Sequence, residues 1–211
     1  MLSACWNGAS ELVSSVTSSV VGMLYNLQLL RYAGQNGVAA YGVLMYLDFV
    51  FVAMFIGYAV GSAPLVSYNY GAQSHAELQN LRRKSIRLNA IAGVCMVSVS
   101  QLIAPTLVRI FVGYDAELSA MSVHALRIFS IAYLVIGFNI FASSFFTALN
   151  NGGVSAAISF LRTFIFKLSA VLLLPLAFGL DGIWWASICA EIIAFCISAA
   201  FLIAKRKKYN Y

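Results

Sequence analysis

Of 211 residues, 62% are hydrophobic and only 9% are charged. Soluble globular domains carry roughly 25% charged residues, so this composition excludes one and leaves room for about six membrane spans with short loops. The net charge of +6 would suit nucleic acid, but the basic residues gather at the ends of apolar runs. There they set membrane topology rather than form a phosphate-binding face.

The expected fold is all-α: a polytopic membrane protein whose six transmembrane helices form one bundle over residues 1–211. No cleavable signal peptide is expected, because Met1 to Gly8 carries no basic start and the next apolar segment has span length. The first span, residues 10–32, has small residues (Ser14, Ser15, Ser18, Ser19, Gly22) that permit close helix approach. A short polar loop at 34–37 leads to the second span, 38–68, where Gly57, Gly61 and Pro64 are candidate bending points. That span closes on Tyr68, Asn69 and Gly71, and the stretch SHAELQNLRRKSIR after it reads as a short interfacial helix.

The third span, 88–112, contains Pro105, and an acidic turn from Gly113 to Glu117 follows it. The fourth, 118–149, carries His124 and Arg127 near its start and ends at Asn150, Asn151, Gly152 and Gly153. The fifth, 154–178, holds Arg162, Lys167 and Pro175; Gly179 to Gly182 turns the chain into the sixth, 183–204. Four basic residues follow span two and four more (Lys205 to Lys208) follow span six, whereas Asp115, Glu117 and Asp181 lie after spans three and five. Even-numbered exits and both chain ends are therefore expected on the cytoplasmic side.

No enzymatic or metal chemistry is expected. HExxH and GxSxG are absent, and His75 and His124 lie in different elements. Cys5, Cys95, Cys189 and Cys196 show no CxxC or Cys/His spacing and read as buried structural thiols. No cofactor is implied.

Ionisable groups within spans cost about 2.5–3.5 kcal/mol at a helix centre, so each needs an account. Asp48 lies some way into span two: it either faces a cavity and takes a proton or cation, or pairs with Lys167 or Arg127. Glu191, in the middle of span six, is either a cavity group or a protonated packing partner. Lys167, in mid-span, calls for an acid partner, because snorkelling from that depth is strained. Arg127 and His124 share a helix face and either snorkel or handle protons. Glu11 takes an interfacial position. Asn139 is either interhelical glue or a cavity donor. Tyr46 and its aromatic neighbours either offer cation–π faces, worth about 0.5–2 kcal/mol each, or face lipid.

Four stretches carry a family resemblance: NGASELVSSVTSSVVGMLYNLQLLRYAGQNGVAAYGV, GSAPLVSYNYGAQ, ALNNGGVSAAISFLRT and LPLAFGLDGIWWASICAEIIAF. In this order, over nearly the whole chain, they resemble multidrug and toxic compound extrusion (MATE) transporters, most narrowly the MepA-like and DinF-like bacterial branch. Within them, Gly61, Pro64, Tyr68, Asn69, Gly71, Asn150, Gly152, Pro175 and Gly182 stand at motif positions. The resemblance implies the second half of a twelve-span fold, in which two six-helix bundles rock around a cavity. It implies export of small organic cations or other amphipathic drugs in exchange for H+ or Na+ across a bacterial plasma membrane, with a missing N-terminal half or a second copy as partner. The alternatives it leaves are a lipid-linked oligosaccharide flippase of the same superfamily, or an inactive fragment that needs a partner half. Sodium-coupled members carry acids deep in span one and in span four; here span four has none beyond Glu117, a departure from that pattern.

Overall fold

A computed structural model describes residues 2–209, with side chains from Ser18 onward except Lys207. It is a helical membrane bundle of α1 (Leu2–Gly71), α2 (His75–Val112), α3 (Ala116–Ser130), α4 (Tyr133–Ala148), α5 (Gly152–Phe160), a π-helical segment (Leu161–Phe166), α6 (Lys167–Ala204) and a short α7 (Arg206–Tyr209). Two of these elements are folded back on themselves. In α1 the reversal is at Gly34, whose φ of 62° and ψ of −150° lie where only glycine is at ease. As a result Tyr25 and Tyr41 stack with ring centroids 5.1 Å apart, although a straight helix would hold their Cα atoms about 24 Å apart. Gly179 (φ 59°, ψ −137°) does the same in α6. There, a Cβ on Gly182 would strike the carbonyl oxygen of Leu174 and lie 2.8 Å from the nitrogen of Pro175.

The polar loops expected at 34–37 and 179–182 are therefore single-residue reversals. A Cβ on Gly34 would meet no atom within 4 Å, so its replacement is penalised by conformation alone. Gly34→Ala should cost about 1–2 kcal/mol, read as a lower midpoint of thermal unfolding with the secondary structure retained.

The hairpins at the other turns are each fixed by a side-chain bond. Tyr58 donates to Ser85 Oγ (2.8 Å) across the Gly71–Ser74 turn, and Gln101 Nε2 to the carbonyl of Arg127 (2.7 Å) across the turn after Val112. Ser143 meets Ser155 and Ser159, each at 2.9 Å, across the turn at Asn150. Successive segments thus run antiparallel. The turns after Gly71 and Ala148 share one end of the bundle with the tail: Ser67 donates to the carbonyl of Ala148 (3.0 Å), Asn151 Nδ2 to Tyr209 Oη (2.9 Å), and Tyr70 packs edge-on against Tyr209. At the opposite end His124 meets Asp181 at 2.9 Å, both half exposed, which is worth little in stability.

Two expectations need correction. The basic stretch SHAELQNLRRKSIR is no separate interfacial helix; from His75 it continues without a break into the third span, with Leu78 fully buried. Pro105 sits inside that same helix, and Pro64 and Pro175 inside α1 and α6. The fourth span, in contrast, is bent by 50° between α3 and α4. The cause is a carbonyl taken out of the helical ladder. The Arg127 oxygen accepts from Gln101 and from Ser130 Oγ (3.0 Å), and the Ile131 amide turns instead to Ile128 (3.1 Å).

Just past this bend α4 is pressed against α2. A Cβ on Gly93 would lie 2.7 Å from the carbonyl oxygen of Tyr133, and one on Gly137 would fall on the ring of Phe55 from the second arm of α1. Most of the interior is aromatic and aliphatic, with Trp184, Tyr133, Phe141, Phe145 and Phe146 almost wholly enclosed, and Asn139 and Glu191 are buried among them.

A candidate ion and substrate site inside the bundle

The charged interior is built where the second arm of α1, α4, the π segment and α6 converge. Glu191, on α6, has no solvent exposure. Its Oε1 receives Arg162 Nε at 2.9 Å and faces Lys167 Nζ at 3.8 Å. Its Oε2 accepts from Asn139 Nδ2 at 2.9 Å, and the same amide also donates to the Glu191 carbonyl at 3.0 Å. A buried carboxylate held by two cations and an amide meets the conditions under which a buried ion pair persists: close partners and filled lone pairs.

The π segment makes this possible. Arg162 and Lys167 are five residues apart, which on a regular α-helix at 3.6 residues per turn puts them on well-separated faces. A π-helix closes i→i+5 hydrogen bonds, so residues five apart come nearly into line, and both cations address one carboxylate. None of Leu161–Phe166 is fully buried, but a π segment keeps its backbone groups paired within the helix, so it needs no outside partner at membrane depth.

Asp48 is different. Its Oδ1 is buried and has no hydrogen-bond partner, and it forms no ion pair among the described residues. The Tyr133 hydroxyl is its electrostatic neighbour but makes no hydrogen bond of acceptable geometry. Asp48 lines a pocket of about 190 Å³ with Tyr25, Tyr41, Phe129, Lys167 and Ser187. The expected pairing of Asp48 with Lys167 or Arg127 is not formed; Lys167 leans toward Glu191.

Four of the residues singled out in the sequence (Asp48, Glu191, Lys167 and Asn139) meet in this interior. Arg127 and Tyr46 do not. Arg127 is exposed near the Gly179 end, beside His124 and Arg109. Tyr46 is 69% exposed and stacks on Phe111 at 6.0 Å. The side chain of Glu11 lies outside the described residues. Cys95 and Cys196 are exposed and Cys189 is half buried, all of them free thiols, so the expectation of buried cysteines fails for these three. The motif residues are mainly structural. Asn69 Nδ2 bonds the carbonyl of Leu65 (2.8 Å), and Asn150 takes a left-handed φ of 57° where α4 stops. Asn151 caps α5 through the amide of Val154, with Gly152 as that helix's first residue.

Sequence reasoning missed Arg162 and Ser187, whereas Tyr25 was among the span-depth aromatics weighed as cavity lining. The signal for Arg162 was present: it is a second cation in the same span as Lys167, and its cost in lipid calls for an acid partner in the same way.

Against known proteins, residues 12–173 match the MatE family. The multidrug export protein MepA of Staphylococcus aureus strain MSSA476 is 24% identical over 196 residues, which is 93% of this chain and 42% of that protein. MepA of strain N315 aligns over the same share at the same identity. An inward-facing multidrug resistance MATE family transporter of the MOP superfamily superposes with a TM-score of 0.89 at 17% identity, covering 96% of this chain and 47% of the other. The Vibrio cholerae MATE transporter VcmN in its bent form gives 0.86 at 20% identity, over 96% and 46%. The chain thus spans less than half the length of the relatives and structures it matches.

Proposed function

Because this chain belongs to the MatE family, that of the MATE transporters, we propose that it forms one six-helix half of a secondary-active multidrug exporter. With a second half, an N-terminal one or another copy, it encloses a path through which cationic or amphipathic compounds leave in exchange for H+ or Na+. The observation that carries this reading is the overlay: 96% of this chain covers just under half of solved MATE transporters. The enclosed Arg162, Lys167, Glu191 and Asp48 group supports it further, since ionisable residues at membrane depth mark ion and substrate pathways. Basic residues of α2 and of the tail flank the end shared by the Gly71 turn and Tyr209, which favours both chain ends on the cytoplasmic side of a bacterial plasma membrane.

The test is ethidium movement in proteoliposomes of this chain, alone and with a co-reconstituted N-terminal half of a MepA-type relative, under an imposed pH or sodium gradient. Gradient-driven movement that disappears in Glu191→Gln is the expected result in at least one arrangement. Well-folded protein that moves no ethidium in either arrangement, but moves a lipid-linked oligosaccharide, would overturn the drug-export reading in favour of a flippase.

A further inference from the structure

Where α2 meets α3, beside the Val112 turn, a cleft carries charge that the interior site does not use. Arg109 and Arg127 both line it, and no acidic residue does. Neither arginine forms an ion pair among the described residues. The acids of this end are engaged or stand apart. Asp115 accepts from the Leu118 amide at 3.0 Å, Asp181 meets His124 at 2.9 Å, and Glu117 does not line the cleft. Charged side chains within spans ordinarily pair, and here two do not.

The backbone directs these two side chains toward one level. The Arg127 carbonyl is held by Gln101 of α2, so Arg127 starts level with Gln101, whereas Arg109 starts about 12 Å nearer the Val112 turn. In a helix the Cα–Cβ bonds tilt toward the N-terminus. Because α2 ends at this turn and α3 begins after it, Arg127 is aimed outward along the membrane normal and Arg109 inward. The stem of Arg109 is also confined, since a Cβ on Gly113 would lie 2.9 Å from its Cγ.

Size and chemistry restrict the occupant. The cleft measures about 640 Å³, inside the ~300–1,000 Å³ range that holds small molecules. Guanidinium forks match phosphate oxygens two at a time, and the hydroxyls of Tyr114 and Ser119, also in the lining, are further donors. Beside them Pro105, Ala120 and Val123 make an apolar wall, for which a free anion has no use. One charged end and one apolar end describe an amphiphile, and basic pockets between spans hold lipid head groups. We propose that this cleft binds the phosphate head group of an anionic phospholipid, with an acyl chain lying along Pro105, Ala120 and Val123. The lipid fastens α2 to α3 next to the 50° bend of the fourth span. Only its leaflet rests on the export reading: with the chain ends cytoplasmic, it belongs to the outer one.

The test uses the purified full chain in a neutral detergent, titrated with dioleoyl phosphatidylglycerol or dioleoyl phosphatidylcholine. Bound lipid is counted by native mass spectrometry. The first phosphatidylglycerol should bind about tenfold more tightly than the first phosphatidylcholine. That preference should disappear in the double variant Arg109→Gln with Arg127→Gln. Both side chains are exposed, and the Gln101 bond to the Arg127 backbone stays in place. Ala120→Phe, which fills the apolar wall and changes no charge, should weaken phosphatidylglycerol binding several-fold. Arg83→Gln with Lys84→Gln removes the same charge from exposed positions at the opposite end and should leave the affinity within about twofold of the parent. Should the arginine pair not fold, either single substitution should shift the affinity in the same direction. Equal binding of the two lipids, a preference that survives the arginine pair, an equal loss in the Arg83 and Lys84 control, or indifference to Ala120→Phe would each overturn the site. Displacement of the lipid by inorganic phosphate at the lipid's own concentration would assign the cleft to a free anion and overturn it too. Lipid binding without ethidium transport would leave this site standing and fail the export reading; the reverse result would do the opposite.

Discussion

Glu191→Ala should lower the stability of the bundle by about 3 kcal/mol, because it strands two half-buried cations, 19% and 25% exposed, rather than removing one pair. Arg162 loses its 2.9 Å partner and Lys167 its nearest acid. Asn139 loses the oxygen that its amide serves, and its own Oδ1 is already without a partner. The double variant Arg162→Met with Glu191→Leu should recover most of the loss, since removing a buried pair together is far milder than removing one side. Unfolding by a graded denaturing detergent checks both. A single variant within about 1 kcal/mol of the parent would show that Glu191 is not the electrostatic centre of the interior.

Gly93→Val should have the next largest effect. The glycine lies where α2 meets the first turn of α4, and a Cβ there would be 2.7 Å from the Tyr133 carbonyl oxygen and 3.2 Å from the Leu134 Cα. Both neighbours are backbone, so no rotamer change relieves the clash and the helices must part. Overpacking of this kind costs about 1–3 kcal/mol. Close approach through small residues is how helices associate in lipid, where burial of apolar surface gives little advantage. Gly57→Val, at a helical position where a Cβ meets nothing within 4 Å, is the matched control and should unfold at nearly the parent temperature.

The helices were legible in the sequence because membrane spans announce themselves by length and apolarity, and the turn chemistry at Asn150 to Gly153 was equally plain. The break in the fourth span was not. It depends on Gln101, in another helix, claiming the Arg127 carbonyl, and no local pattern encodes a partner 26 residues away. The site was legible as a set of candidates but not as pairs. Glu191, Lys167, Asn139 and Asp48 stood out by their cost in lipid, yet which acid Lys167 faces was decided by the π segment. That segment has no sequence signature: LRTFIF reads as ordinary helix, and only its change of winding sets Arg162 beside Lys167. Arg127 and Tyr46 went elsewhere for the converse reason, since their helix faces point away from the convergence.

The single-residue reversals at Gly34 and Gly179 bear on how the chain is made. Each joins two apolar arms through a turn of very few residues, with Arg31, Gln35 and Asn36 around one and Asp181 beside the other, so during synthesis neither arm has a long polar tether that could wait outside the bilayer for the other. The arms 2–33 with 35–71, and 152–178 with 180–204, are thus suited to leave the insertion machinery as ready-formed helical hairpins. The polar connections after Gly71, Val112 and Ala148 instead separate one such hairpin or span from the next.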